Sequence, residues 1–404
     1  MQQILIRNFG PIVNQEGTSI SLPKVLVLCG EQGTGKSSVA KLISQFSWLE
    51  KALVRNDYTI LDIAQQDFFL KLSSFHNITG YFKPNTYIKF IGNKYEFLYE
   101  KQILSVQVIK EADYVRPQIM YIPAERNLVA ALEDASKIQN LPKPIAVFME
   151  EYYNALKNHK NPFKLPLNGY KIAYDDKTNT VWFGDKDFKV KLSEAASGFQ
   201  SLVPMLIVTE NLLLRVKLHA DSPKSRSEAS FAESSRLEKT IRDILSNENL
   251  DEKVRVLMIK ELNKSIRNKC LLNVVEEPEQ NLYPTSQRTI LNELLRINNS
   301  IDNNQLVITT HSPYIINYLT LAIKAGMLLS KYGTTHMDSL KEVVPLESTV
   351  LPEDVSVYQI SSNGEISLLD KYDGLPVDSN ILNGALGETN DLFDRLLEIE
   401  DSLA

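Results

Sequence analysis

One run constrains this chain more than any other: Gly30-Glu31-Gln32-Gly33-Thr34-Gly35-Lys36-Ser37, followed by Ser38. It matches the pattern G-x-x-x-x-G-K-[ST] in full. It lies between an apolar run at 24–29 (KVLVLC) and a segment that reads as a helix from Lys36 to about Val54. The physics of holding a phosphate chain requires that layout. Glycines let consecutive backbone N–H groups turn inward on the phosphates, and the helix that follows aims its positive N-terminus at the same point. Lys36 neutralises charge on the β- and γ-phosphates, and Ser37 offers a hydroxyl to Mg²⁺. A chance glycine-rich turn is the plain alternative, but glycine is scarce in this chain: 16 of 404 residues, against a usual share of roughly 7%.

A nucleotide held there needs an acidic residue at the end of a neighbouring buried strand. Residues 270–277 supply two, because the run CLLNVV is followed at once by Glu276 and Glu277. Carboxylates directly after an apolar strand stand at its carboxyl end, where parallel sheets place ligands. Glu276 is assigned to the metal and Glu277 to the general base that polarises an attacking water. Two surface acids that happen to follow a strand are the bland alternative. Asp is the commoner residue at the first of these positions, so the division of labour between the two acids stays open.

The remaining pattern reads as an α/β chain. Residues 4–13, 119–123 and 305–309 read as strands, and 57–115 as a helix followed by a small antiparallel β region. Residues 126–158 look helical, 170–192 hold two or three strands, and a helix runs from about Gly198 to Val216. Six serines fall in 220–235, which reads as a loop. Two amphipathic helices follow it; Leu237, Ile241, Ile244 and Leu245 share a face of the first, and Val254, Leu257, Glu261 and Ile266 keep the spacing in the second. A helix at 285–298 separates the strands 270–275 and 305–309. A short β pair is expected near 355–369, and an acidic helix at 391–401 whose apolar stripe is expected to pack on the core.

Composition narrows the setting. The net charge of −6 argues against a uniformly basic nucleic-acid coat. Two cysteines, Cys29 and Cys270, exclude a disulfide framework and read as small buried hydrophobes in a reducing, cytoplasmic compartment. No apolar run of membrane-spanning length stands out, and the first ten residues lack a signal-peptide core.

The run Glu276-Glu277-Pro278-Glu279-Gln280-Asn281-Leu282-Tyr283-Pro284 resembles the Walker B and D-loop segment of ABC-type ATPases, above all the branch that holds the SMC, RecF and OLD (overcoming lysogenization defect) families. Four other segments agree in order. Ile6-Arg7-Asn8-Phe9-Gly10-Pro11-Ile12 resembles the opening strand of that branch, and Ala196-Ser197-Gly198-Phe199-Gln200-Ser201 is similar to its signature motif. Thr310-His311-Ser312-Pro313 resembles its switch histidine, and Tyr121-Ile122-Pro123-Ala124-Glu125-Arg126 a segment of OLD-like and Septu-type defence ATPases.

The resemblance implies one ABC-type P-loop ATPase head over 1–404: an α/β fold with a mixed central sheet, an antiparallel β and helical subdomain at 57–115, a helical insertion at 217–269 and a C-terminal cap at 314–404. It implies ATP and Mg²⁺ as ligands, and a homodimer or higher oligomer closed through the nucleotides. Ser197 and Gly198 would then meet the γ-phosphate bound by the other protomer. Asn281 would cross the same interface, and His311 would sense the γ-phosphate. A metal-shell glutamine is also expected; Gln65, Gln66 and Gln118 are candidates and Glu125 a substitute. Arg126 faces a phosphate or pairs with Glu125.

The output of such a head is read by elimination. No heptad pattern is sustained long enough for a coiled-coil arm, and the scattered Asp354, Asp370, Asp373 and Asp378 form no paired-carboxylate nuclease centre. The expectation is a head that gates or holds a separately encoded effector, a nuclease, as in Septu, retron-associated or PARIS-like anti-phage systems, with no membrane partner. The alternative is a RecF-like DNA-repair ATPase. Nucleic acid is a possible ligand there, because residues 217–269 carry twelve Lys/Arg against nine Asp/Glu; two solvated helices explain that bias equally simply.

Overall fold

The computed structural model describes residues 1–109, 114–132, 140–159, 162–218, 231–247, 250–333 and 337–403. The chain opens with β1 (Gln2–Phe9), β2 (Ser19–Leu22) and β3 (Val25–Cys29), then α1 (Lys36–Val54), α2 (Ile60–Ile63) and α3 (Phe68–Ser73). Next come β4 (Phe82–Ile91), β5 (Tyr95–Glu100), β6 (Ile103–Val108), β7 (Pro117–Ile122), α4 (Leu128–Ala131), α5 (Lys143–Asn158), β8 (Phe163–Lys164), β9 (Lys171–Asp175), β10 (Thr180–Gly184) and β11 (Lys189–Lys191). The second half holds α6 (Ser197–Leu218), α7 (Phe231–Ser246), α8 (Glu252–Ser265), β12 (Cys270–Glu276), α9 (Pro284–Asn299), β13 (Gln305–Thr310), α10 (Pro313–Tyr332) and α11 (Met337–Val343). It closes with β14 (Val355–Ile360), β15 (Ile366–Leu368), β16 (Lys371–Tyr372), β17 (Leu375–Pro376) and α12 (Ile381–Leu403).

A six-stranded mixed sheet, ordered β15-β14-β3-β13-β12-β7, is the centre of this α/β P-loop fold. All its pairings are parallel except β14 with β15. Every residue of β3 and β12 is buried, because helices cover both faces, and that is why these strands read as continuous apolar runs. Successive side chains alternate between two cores. Val25, Val27 and Cys29 face one formed with α5, α6, α9 and α10, while Leu26 and Leu28 face one formed with α1 and a five-stranded antiparallel sheet, β2-β1-β4-β5-β6. Phe46 of α1 anchors that second core, stacked on Phe90 at 5.2 Å and against Phe69 at 4.8 Å. A third sheet, β11-β10-β9-β8, precedes the signature segment.

Several expectations change. The strand expected over 4–13 stops at Phe9, where Asn8 and Gly10 take positive φ and Phe9 bridges back to Ile12. The antiparallel region is not confined to 57–115, since β1 and β2 complete it. Residues 126–158 are not one helix: a 3-10 turn at 124–127, α4 and α5 are separate, with Pro142 and Pro144 setting the start of α5, and 133–139 lie outside the described residues. Most of the serine-rich segment also lies outside them, at 219–230. On α7, Leu237, Ile241 and Ile244 are buried but Leu245 is exposed, and on α8 Val254 and Leu257 are exposed, because α8 packs chiefly on α7.

Tail strand β14 pairs in parallel with β3, residue for residue 330 positions apart, and so becomes an interior strand of the central sheet. The acidic helix runs from Ile381, and its apolar stripe does not pack on the core: Leu392, Phe393, Leu396 and Leu397 are exposed. Among the described residues one helix reaches membrane-spanning length and apolarity, Ser197–Lys217 of α6, and 72% of that window is buried inside the protein.

Candidate active site

The phosphate loop is shaped by neighbours far away in the chain. Gly30, Gly33 and Gly35 have φ of 148°, 82° and 112°, values that side chains disfavour. A Cβ on Gly30 would fall 2.3 Å from the carbonyl oxygen of Ile360, at the end of β14, and one on Gly35 would fall 2.8 Å from Ile12. The opening turn and the tail strand therefore press the loop from two sides. Glu31, Gln32 and Gly33 are exposed, whereas Thr34, Gly35, Lys36 and Ser38 are buried and Ser37 is half-buried. Thr34 Oγ1 closes the loop on the Glu31 carbonyl at 3.0 Å. No side chain caps α1, so its first N–H groups stay directed at the loop. Lys36 Nζ donates to the Gly30 and Glu31 carbonyls at 2.8 and 2.6 Å. Burial lowers its pKa, against the pull of Glu277, Glu279 and Glu276.

The two acids separate sharply in environment. Glu276 ends β12, is buried, and accepts a short hydrogen bond from the Tyr121 hydroxyl. Glu277 turns away at φ 44°, is half-buried, and its Oε1 lies 3.4 Å from Nδ1 of His311, just after β13. The hydrogen bond from His311 holds the Glu277 carboxyl below its ordinary range, and the same bond raises the His311 pKa. The structure thus brings Lys36, Glu276, Glu277 and His311 together at the carboxyl end of β3, β12 and β13. Ser197 is exposed at the start of α6. Asn281 is exposed at φ 58° in the turn after β12. Gly198 is buried, and a Cβ there would meet the Asn281 carbonyl at 2.6 Å, so the start of α6 and the turn after β12 touch within the chain.

Two residues do work that the sequence did not reveal. Arg126, expected to face a phosphate or to pair with Glu125, has its guanidinium taken up by backbone carbonyls. It is fully buried, and its guanidinium donates to four carbonyls: Glu276 and Glu277 at 2.6 Å each, Ser201 at 3.1 Å and Pro123 at 3.2 Å. Burial lowers its pKa to about 10, which leaves it charged at neutral pH. Glu279 is the second. Its Oε1 accepts from Thr310 Oγ1 at 2.6 Å and from the His311 N–H at 3.1 Å, latching the β13 end to the turn after β12. Burial raises its pKa. Only the EEPE motif hinted at Glu279; for Arg126 the sequence carried no signal of a backbone clamp.

The metal-shell glutamine is also narrowed. Gln118 stands near the start of β7, at the opposite end of the sheet, and accepts from Asn268 at 2.6 Å. Gln65 and Gln66 follow α2, which packs on β6. Glu125 lies in the turn beside Ala124, whose N–H reaches Glu276. Among the described residues no three His, Cys, Asp or Glu side chains group as metal ligands. Glu276, a buried carboxylate at the end of β12, and Ser37, a half-buried serine at the start of α1, are side chains that would suit a hard cation taking its other ligands from phosphates and water.

Residues 132–316 match the model of an AAA ATPase domain. The match takes in Ser197, Glu276, Glu277 and His311 and begins after the phosphate loop. None of the curated proteins compared with it matches this chain. Among solved structures, the SMC head domain from Thermotoga maritima is similar over 92% of this chain and 98% of its own, at 9% identity and a TM-score of 0.36. An SMC head solved with the C-winged helix domain of ScpA is similar over 91% and 96%, at 8% identity and a TM-score of 0.35.

Proposed function

We propose that this protein binds and hydrolyses ATP, closes into a dimer around two nucleotides, and by that movement gates a separately encoded effector of anti-phage defence. The observation that carries the ATPase part is the convergence of a fully matched phosphate loop, a buried carboxylate and a Glu277–His311 pair at one end of one sheet. The N–H groups of 33–38 and Lys36 hold the phosphates. Ser37 and Glu276 hold Mg²⁺, which supplies charge neutralisation on the phosphates. Glu277, ionised and oriented by His311, accepts a proton from the attacking water. What supports the effector part is the resemblance of 121–126 to a segment of OLD-like and Septu-type defence ATPases.

The test is Glu277→Gln. The variant binds ATP with unchanged affinity, loses about 10²–10⁴-fold in kcat, and accumulates as a nucleotide-bound dimer in light scattering. Hydrolysis at the wild-type rate would remove Glu277 from the reaction. Co-purification with the products of neighbouring genes tests the effector separately; if no such product binds and phage sensitivity survives deletion of the gene, that part fails.

A further inference from the structure

Helix α12 leaves the body at Leu382, and every residue from Gly387 to Asp401 is exposed. Five of these are large and apolar: Leu392, Phe393, Leu396, Leu397 and Ile399, 43–62% exposed. Scattered exposed leucines need no explanation, but a contiguous face of this kind marks an interaction surface. Its spacing is regular. Ala385, Thr389, Leu392, Leu396 and Ile399 alternate in steps of four and three, the seam of a two-helix coiled coil. The charges are sorted about that seam. Asp391, Asp394, Glu398 and Asp401 lie on the far face, where two helices would keep them in water. Glu388, Arg395 and Glu400 flank it.

We infer that α12 pairs in parallel with α12 of a second copy of this chain, without nucleotide. Charge selects the occupant and the direction. Parallel in-register pairing sets Arg395 of each helix beside Glu400 of the other, five residues on, twice by symmetry. The antiparallel register that stacks Thr389 on Ile399 and Leu392 on Leu396 instead brings Arg395 against its own copy. This contact is distinct from the nucleotide-dependent one, because α12 bears none of the ATPase side chains.

The experiment uses the full chain, free of nucleotide, in sedimentation equilibrium. The expected species is a dimer of 45.8 kDa chains. Leu396→Asp, at an exposed position, should weaken it at least tenfold without lowering the melting temperature. Ser197→Arg should leave it intact, which separates it from the nucleotide-dependent contact. Cys29 and Cys270 are buried, so mild oxidation of Leu392→Cys should give a disulfide-linked dimer, while Asp394→Cys, on the far face, should not. A chain that stays monomeric at tens of micromolar would overturn the inference, whatever other protein its helix then binds. So would a dimer indifferent to Leu396→Asp, or equal cross-linking through positions 392 and 394.

Discussion

Replacing Arg126 with Met removes four carbonyl contacts while keeping most of the side-chain volume. Hydrogen bonds to a charged group are worth about 1.5–3 kcal/mol each. Two bonds at 2.6 Å and two at 3.1–3.2 Å put the gross loss at about 6–12 kcal/mol. The variant also escapes the cost of burying a guanidinium, several kcal/mol in a protein interior, so a net loss of about 3–5 kcal/mol is expected. That is about two to four powers of ten in the unfolding equilibrium. Function should suffer beyond stability. Two of the acceptors are the Glu276 and Glu277 carbonyls, at a turn where Glu277 sits at φ 44°, and a catalytic group misplaced by about 1 Å costs on the order of 10²-fold in rate. Urea titration measures the first effect, and steady-state ATP hydrolysis at a temperature where the variant is folded measures the second. kcat should fall by about that factor while KM for ATP stays within about threefold, because the phosphate loop is untouched. Stability within about 0.5 kcal/mol of wild type would refute the clamp. Lost stability with an unchanged kcat would refute its role in placing Glu277.

The His311–Glu277 bond predicts a pH window. Glu277 has a pKa lowered from 4.5, so its contribution is present above that value and is lost as pH falls through the lower folded value. His311 has a pKa raised from 6.5, so its contribution is full below 6.5 and is lost as pH rises through the raised value. Melting temperature should therefore gain most from the pair between pH 4.5 and 6.5, and His311→Gln should flatten the profile there; an unchanged profile would sink the pairing. Gly198→Ala forces a Cβ to within 2.6 Å of the Asn281 carbonyl, so a loss of about 1–3 kcal/mol in urea titration is expected, with a displaced D-loop; a neutral substitution would show that this turn is loose. Ser197→Arg, at an exposed helix start, should keep the wild-type melting temperature and abolish ATP-dependent dimerisation in light scattering; dimers of normal affinity would exclude α6 from the interface.

The parts of the site that were legible in the sequence are those whose geometry is local. A loop of glycines between a strand and a helix needs only neighbouring backbone to point N–H groups at a phosphate, and α1 begins at Lys36 as read. Glu276 and Glu277 were legible because a fully buried strand announces itself by an unbroken apolar run, and whatever follows it stands at its end. Residues 126–158 were misread because helical periodicity does not mark where prolines set a new start.

Long-range contacts decided the rest. The sequence by itself determined that a phosphate loop, two acids and a histidine exist, each at the end of a buried strand. Only the tertiary structure decided that His311 orients Glu277, that Arg126 ties the acidic turn to α6, and that β14 joins the sheet beside β3 and presses on Gly30. It also left the α12 stripe in solvent, although its pattern matches that of a helix packed on a core. The physical reason is the same throughout. Periodicity reports that a face is apolar or that a charge is buried, but the partner that covers the face or satisfies the charge is set by which distant segments the sheet order brings together.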